Sequence, residues 1–143
     1  MDGFADGGVV DWARFGQMRA ELGGDFIRIL GYFREDGEKA VGRIEAAMHR
    51  RDAAGLVGPA HTMKTEARQF GAAPLGELAE EIEDAGRRAL ESRLFPDQIL
   101  PQVAQLRPLY EQTMALFEQE TNPLVARRAA ADRTASNQDF GRL

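Results

Sequence analysis

The amino-acid sequence predicts an all-helical protein: an up-down antiparallel four-helix bundle with an additional short N-terminal helix. The composition is dominated by alanine, glutamate, leucine and arginine, which favour helix over strand. Five segments carry apolar residues three and four positions apart, whereas no useful stretch alternates with the period of a strand. The connections between these segments are short, which favours antiparallel neighbours.

The first two segments have recognisable ends. Asp11 is the expected N-cap of the first, and Gly23-Gly24 ends it. Asp25 is expected to cap the second segment, which is long and ends in His49-Arg50-Arg51, cations suited to a helix C-terminus. Their expected core residues are Phe15, Met18, Leu22, Phe26, Leu30, Phe33, Val41, Ile44 and Met48.

The remaining segments predict three more helices. The third begins near Asp52 and is broken by Gly71-Ala72-Ala73-Pro74, and Phe95-Pro96-Asp97 separates the fourth from the fifth. Their apolar stripes are Leu56, Ala60, Met63, Ala67 and Phe70; then Leu75, Leu78, Ile82, Ala85 and Ala89; then Ile99, Val103, Leu106, Tyr110, Met114 and Phe117.

Three prolines conflict with this pattern. Pro59 falls within the third segment, and Pro101 and Pro108 fall within the fifth. Each removes a backbone donor and should kink its helix. Alternatively, the third helix begins near Pro59.

Composition also limits the function and the location. A net charge of −5 argues against general nucleic-acid binding, and the lack of cysteine excludes disulfides, thiolate metal sites and cysteine nucleophiles. The acidic, glycine-rich start lacks the features of a signal peptide, and no stretch approaches the roughly 20 apolar residues that span a bilayer. We expect a cytoplasmic protein without a membrane segment. Residues 1–120 should form the bundle and residues 121–143 a polar, flexible C-terminal tail.

The sequence contains only two histidines, and His49 has a sufficient structural explanation at a helix C-terminus. Glu45 lies four residues before it, but a carboxylate-bridged metal site in a bundle needs several such pairs, and the chain offers no second one. We therefore expect no metal site, and a di-iron enzyme is excluded by ligand count.

His61 lies on the water-facing side of the third helix. At about 100° per residue, it projects roughly 140° from the apolar stripe, with Lys64 near 80° and Arg68 near 120°. The histidine and both cations therefore share one flank. Because a surface histidine beside a lysine is usually incidental, this flank alone does not indicate a function.

The fourth helix brings a carboxylate to the same flank. Glu83 projects about 120° from its own stripe, so one bundle hand brings it to His61. A carboxylate that accepts from one ring nitrogen leaves the other unprotonated and nucleophilic. If the two helices form a hairpin turning about Ala72, His61 lies opposite Glu83, Lys64 opposite Glu80 and Gly58 opposite Gly86.

The run Ala60-His61-Thr62-Met63-Lys64, followed by Phe70-Gly71-Ala72, resembles a known signature. It is similar to Ala-His-Thr-Leu-Lys-Gly and Leu-Gly-Ala of the histidine-containing phosphotransfer (HPt) family. The downstream Leu78…Ile82-Glu83 resembles the family's Leu…Leu-Glu segment. In helix order and spacing the resemblance covers roughly Asp11 to Phe117.

The resemblance implies a phosphorelay intermediate in two-component signalling. His61 would accept phosphate on Nε2, Lys64 would be the neighbouring cation and Glu83 the partner of the imidazole. The implied partners are receiver domains of response regulators or hybrid histidine kinases, and the protein would be a monomer. No cofactor is expected, and neither is an ATP site, because the chain lacks a glycine-rich phosphate loop.

Three further residues are expected to serve partner binding. Arg68 extends the basic flank, and Gly71 would permit the tight turn after the third helix. Thr65, with Glu66 after it, replaces the small Gly-Ser pair usual in the family, which should narrow the set of partners. The alternative is a helical docking module that binds receiver domains or another partner without phosphotransfer.

Overall fold

The computed structural model describes residues 8–122 and residue 124, and the regular structure in these residues is helical. The predicted all-helical fold is confirmed. Single 3₁₀ turns, Gly23–Asp25 and Asp97–Ile99, precede α2 and α5. The five helices are α1 (Trp12–Leu22), α2 (Phe26–Arg50), α3 (Ala53–Gln69), α4 (Ala73–Ser92) and α5 (Leu100–Thr121).

The chain divides into two compact units, one up to Thr113 and one from Met114. In the first unit, α3 packs against α4 and α2 packs against α3. The described part of the second unit continues α5, where the Thr121 hydroxyl donates to the Phe117 carbonyl at 2.8 Å. The expected tail lies outside the described residues apart from its first positions. Within the described part of the chain, no helix has the length and apolar character needed to cross a bilayer.

The helix ends follow the predicted caps with one exception. Asp11 accepts from the backbone N–H groups of Ala13 and Arg14, and Asp52 accepts from that of Gly55 at 3.1 Å. The expected cap at Asp25 is wrong, because Asp25 lies in the 3₁₀ turn with helical φ and ψ. A capping side chain needs the extended backbone of a true N-cap residue. The Asp25 carboxylate instead accepts from Arg28 at 2.9 Å.

Pro59 and Pro108 lie in helix interiors, whereas Pro101 lies in the first turn of α5. α3 begins at Ala53 and continues through Pro59, so the alternative start near Pro59 is wrong. Packing of the buried face, from Leu56 to Ala67, compensates for the missing hydrogen bond. Pro101 is the second residue of α5, where a backbone N–H has no partner in the helix anyway, and Pro108 lies further inside.

The predicted apolar stripes form the core. The stripes of α3 and α4 are buried throughout, as are Ile99, Val103, Leu106 and Tyr110 before and along α5. Met18, Leu22 and Met48 are only half-buried, and the last two lie near the ends of α1 and α2.

Aromatic rings attach α1 to the other helices. Phe15 lies edge-on to Phe26 at 5.2 Å, and Phe26 lies 5.9 Å from Phe70. Phe33 stacks on Phe70 at 5.4 Å, and Trp12 meets Phe15 at 5.1 Å. These contacts join α1 and α2 to the end of α3 through one buried cluster.

The turn between α3 and α4 depends on Gly71. Its φ of +83° is a conformation that residues with a side chain rarely adopt. Its carbonyl accepts from the Asp11 N–H at 2.8 Å, so the start of α1 is tied to this turn. The tight turn that the sequence predicted at Gly71 is present.

The first part of α5 is held against α2 by polar contacts. The Tyr110 hydroxyl donates to the Arg34 carbonyl at 2.5 Å. Arg107 donates to Glu45 at 2.8 and 3.0 Å and to Glu38 at 3.0 Å. Burial raises the pKa of Tyr110 to about 12. The phenol therefore keeps its proton, and with it this hydrogen bond, over the neutral range.

Candidate functional site

The outer surface of the α3–α4 hairpin holds the candidate residues. The helices approach closely at Gly86, where an added Cβ would lie 3.1 Å from the Ala53 carbonyl oxygen and 3.0 Å from Val57. The expected pairing of Gly58 with Gly86 is wrong, since a Cβ on Gly58 would meet open space. Equal distance from a turn fixes the level along a helix, but only every third or fourth residue faces the neighbour.

The structure brings His61 and Glu83 together. His61 Nδ1 lies 2.9 Å from Glu83 Oε2. The imidazole is 54% exposed, whereas the Glu83 side chain is 3% exposed. A buried carboxylate therefore orients a histidine that remains accessible to a second protein.

Lys64 meets the same carboxylate from α3. Its Nζ lies 2.6 Å from Glu83 Oε1, and its side chain is only 19% exposed. Glu80, which the sequence placed opposite Lys64, instead pairs with Arg68 at 2.5 Å. The Lys64 side chain reaches one turn along α4 to Glu83. Arg68 lies level with Gly76 and also reaches one turn along α4, to Glu80. The expected basic flank is therefore partly neutralised at Arg68.

Arg87 is a site residue that the sequence reasoning missed. Its Nε and Nη2 donate to Glu83 Oε2 at 3.1 and 2.7 Å. The signal was present, because Glu83 and Arg87 are four residues apart on α4, the spacing at which opposite charges pair along a helix. Glu83 thus receives hydrogen bonds or ion pairs from three side chains.

The carboxylate stays ionised in this environment. Burial on its own would raise the pKa of Glu83, but hydrogen bonds from Lys64, Arg87 and His61 outweigh it and lower this pKa to about 2. An ionised carboxylate only accepts hydrogen bonds, so Nδ1 of His61 carries the proton. When the imidazole is neutral, its lone pair is therefore on Nε2.

This charge makes the stability of the protein depend on pH. The folded-state pKa of Glu83 lies below its usual value of 4.5. The stabilisation from this carboxylate is therefore present above pH 4.5 and is lost as the pH falls towards 2. We expect a loss of at most about 3 kcal/mol in unfolding free energy across that window. Urea unfolding at a series of pH values measures it.

The matched variant is Glu83→Gln, which keeps the shape of the side chain and removes the titration. Its stability should fall less steeply than that of the wild type between pH 4.5 and 2. Parallel curves for the two proteins would contradict the ionised state of Glu83.

Comparison with known proteins agrees with this geometry. A model of the Hpt domain family matches residues 28–119, most of the chain, from early α2 to near the end of α5. The chain belongs to the Hpt domain family. It is therefore a histidine phosphotransfer protein of the kind that acts in phosphorelays. No curated protein matches the sequence. α1 lies outside the matched range.

A solved structure shows the same fold. The crystal structure of histidine-containing phosphotransfer protein B (HptB) from Pseudomonas aeruginosa PAO1 is similar to the chain with a TM-score of 0.68. The similarity covers 78% of this chain and 93% of that one, at 23% sequence identity. It therefore supports the Hpt fold.

The residues expected to contact a partner lie in different parts of this Hpt domain. Thr65 is exposed one turn after His61, and its hydroxyl donates to the His61 carbonyl at 3.2 Å. Gly71 is buried, and the ten residues that separate it from His61 correspond to roughly 15 Å of helix. Gly71 is therefore placed to shape the turn.

His49 stands apart from the site. It is exposed at the end of α2, and the nearby Glu45 is engaged by Arg107. Among residues 8–122 and 124, no three His, Cys, Asp or Glu side chains come together as a metal site.

Proposed function

We propose that this Hpt domain is a phosphorelay intermediate that carries a phosphoryl group on Nε2 of His61. It exchanges this group reversibly with aspartates of receiver domains in response regulators or hybrid histidine kinases. One observation carries the proposal: an exposed imidazole is held through Nδ1 by a buried, ionised carboxylate 2.9 Å away. That arrangement makes Nε2 the accessible nucleophile.

The proposed transfer requires no cofactor bound to this chain. The Nε2 lone pair attacks the phosphorus of a receiver aspartyl phosphate, and the N–P bond forms as the P–O bond breaks in line with it. The electron pair of the broken bond remains on the receiver carboxylate. The ring becomes cationic, and Glu83 stabilises the proton retained on Nδ1. The Lys64 ammonium adds positive charge beside the transferred group.

Burial of Glu83 supports chemistry over docking alone. Holding an ionised carboxylate out of water is costly unless it is fully paired. A surface used only for docking needs no such group beneath an exposed histidine. The alternative docking module therefore leaves Glu83 and its three partners without a role.

The test uses receiver domains encoded in the same genome, each labelled with radioactive acetyl phosphate. We expect at least one of them to transfer label to this protein, in a linkage that is labile to acid and stable to alkali. Proton-nitrogen-phosphorus NMR should place the phosphorus on Nε2. Receivers that bind the protein without transferring label would support the docking alternative instead.

Thr65 should restrict which receivers take part. It adds a methyl and a hydroxyl group one turn from His61, and a receiver that reaches Nε2 must accommodate both. We expect Thr65→Gly to widen the set of receivers that transfer phosphate, at a helix cost of up to about 1 kcal/mol.

Transfer rates across the receiver panel measure this effect. Ala54→Gly, at an exposed position near the start of α3, controls for the loss of helix propensity. An unchanged panel profile for Thr65→Gly would show that partner choice rests on other contacts.

A further inference from the structure

The hydrogen bonds at Glu83 are unevenly distributed between its two oxygens. Oε2 accepts from His61 Nδ1 and from both Nε and Nη2 of Arg87. Oε1 lies 2.6 Å from Lys64 Nζ. One oxygen therefore serves three donors, and the histidine competes with Arg87 for it.

The two cations differ in how firmly they are held. The Lys64 side chain is 19% exposed, whereas that of Arg87 is 56% exposed. Arg87 can therefore move into solvent more readily than Lys64. When it does, the buried carboxylate keeps Lys64 at Oε1 and His61 at Oε2, so it stays paired.

The charges in the site favour an incoming anion. Lys64 and Arg87 carry two positive charges against the single charge of Glu83, so the site holds one positive charge in excess while the imidazole is neutral. A phosphoryl group on Nε2 adds about two negative charges, and the ring becomes positive if it keeps the Nδ1 proton. Once it is cationic, the ring pairs more strongly with Oε2. It then competes better with Arg87 for this oxygen, and Arg87 is released more easily.

We propose that Arg87 is a phosphoryl-binding residue, which donates to Glu83 in the free protein and to the phosphoryl oxygens once His61 is phosphorylated. Arg87 starts beside the ring, because Arg87 Nη2 and His61 Nδ1 lie 2.7 and 2.9 Å from the same oxygen atom. Nε2 is on the other side of the imidazole, so the exposed guanidinium must leave Oε2 to reach a phosphoryl group there. A guanidinium group also matches phosphoryl oxygens with two parallel N–H donors. This inference rests on the proposed function.

The test uses phosphoramidate, a small donor that bypasses receiver domains. Its N–P bond breaks with ammonia as the leaving group while the His61 Nε2–P bond forms. Phosphorus NMR follows the product, and nitrogen NMR follows the arginine side chains in the same sample. We expect the Arg87 Nε–H resonance to shift on phosphorylation, and to stay unchanged in His61→Gln treated in the same way.

Substitution of Arg87 gives a second readout. In Arg87→Ala, the titration midpoint of the phosphoryl group on His61 should rise by roughly one pH unit, a tenfold change, because a charge-assisted hydrogen bond to the dianion is lost. Arg87→Lys should restore part of this shift. The tautomer of unphosphorylated His61 should stay the same, because Lys64 still holds Glu83.

Arg88→Ala is the matched control, since it removes an exposed arginine at the next position of α4, one that projects in another direction. It should leave the phosphoryl titration unchanged. An unshifted Arg87 resonance, or equal titration midpoints in wild type and Arg87→Ala, would overturn the proposal while labelled His61 still supports the proposed function. If phosphoramidate does not label His61 at all, both are rejected.

Discussion

Replacement of His61 by glutamine is expected to abolish phosphoryl acceptance and to leave the fold intact. The side chain is 54% exposed and lies off the buried stripe of α3, so the free energy of unfolding should change by no more than about 0.5 kcal/mol. Glutamine can still donate a hydrogen bond to Glu83, but it has no nucleophilic nitrogen. Label transferred from a phosphorylated receiver should therefore fall to background.

His49→Gln is the control for this experiment. His49 is also exposed, and no carboxylate among the described residues forms a hydrogen bond or ion pair with it. That variant should accept label at the wild-type rate. If His61→Gln still accepts label and His49→Gln does not, the assignment of the acceptor is wrong.

Gly71→Ala is expected to cause a large loss of stability. The φ of +83° is unfavourable for alanine, and the added Cβ would lie 2.5 Å from the carbonyl oxygen of Asp11. The turn cannot move away freely, because the Gly71 carbonyl accepts from the Asp11 N–H. We expect the unfolding free energy to fall by about 3 kcal/mol, from backbone strain and overpacking together.

Thermal unfolding should show a melting temperature lower by roughly 10 °C. Gly16→Ala in α1 is a useful comparison, since a Cβ there meets no atom within 4 Å. It should stabilise the protein by up to about 1 kcal/mol through helix propensity. A melting temperature for Gly71→Ala equal to that of the wild type would mean that the turn relaxes without cost.

Helix order, most helix ends and most of the core could be predicted from the sequence. Burial repeats with the period of the helix, so the stripe from Leu56 to Phe70 appears in the sequence as it appears in the core. Local capping also follows local rules, as Asp11 and Asp52 show. Asp25 departs from them because a 3₁₀ turn places it in a helical conformation before α2 begins.

The contacts within the site could be predicted only in part. Counting residues from the turn correctly placed His61 opposite Glu83. It paired Lys64 with Glu80, but the Lys64 ammonium contacts Glu83, because a long side chain can reach a full turn along the neighbouring helix. Arg87 could have been found from its spacing to Glu83. The sequence alone could not reveal that Glu83 is buried, and burial decides which pairs of a helix surface are important.

The site residues from His61 to Arg87 belong to a single helical hairpin. Their contacts have low sequence separation, and such contacts form quickly because little chain entropy is lost in closing the loop between them. The arrangement of the imidazole, carboxylate and two cations should therefore be established early in folding, before α5 is added. For protein engineering, the same property makes this hairpin a compact element to graft onto an unrelated helical bundle that supplies the buried face.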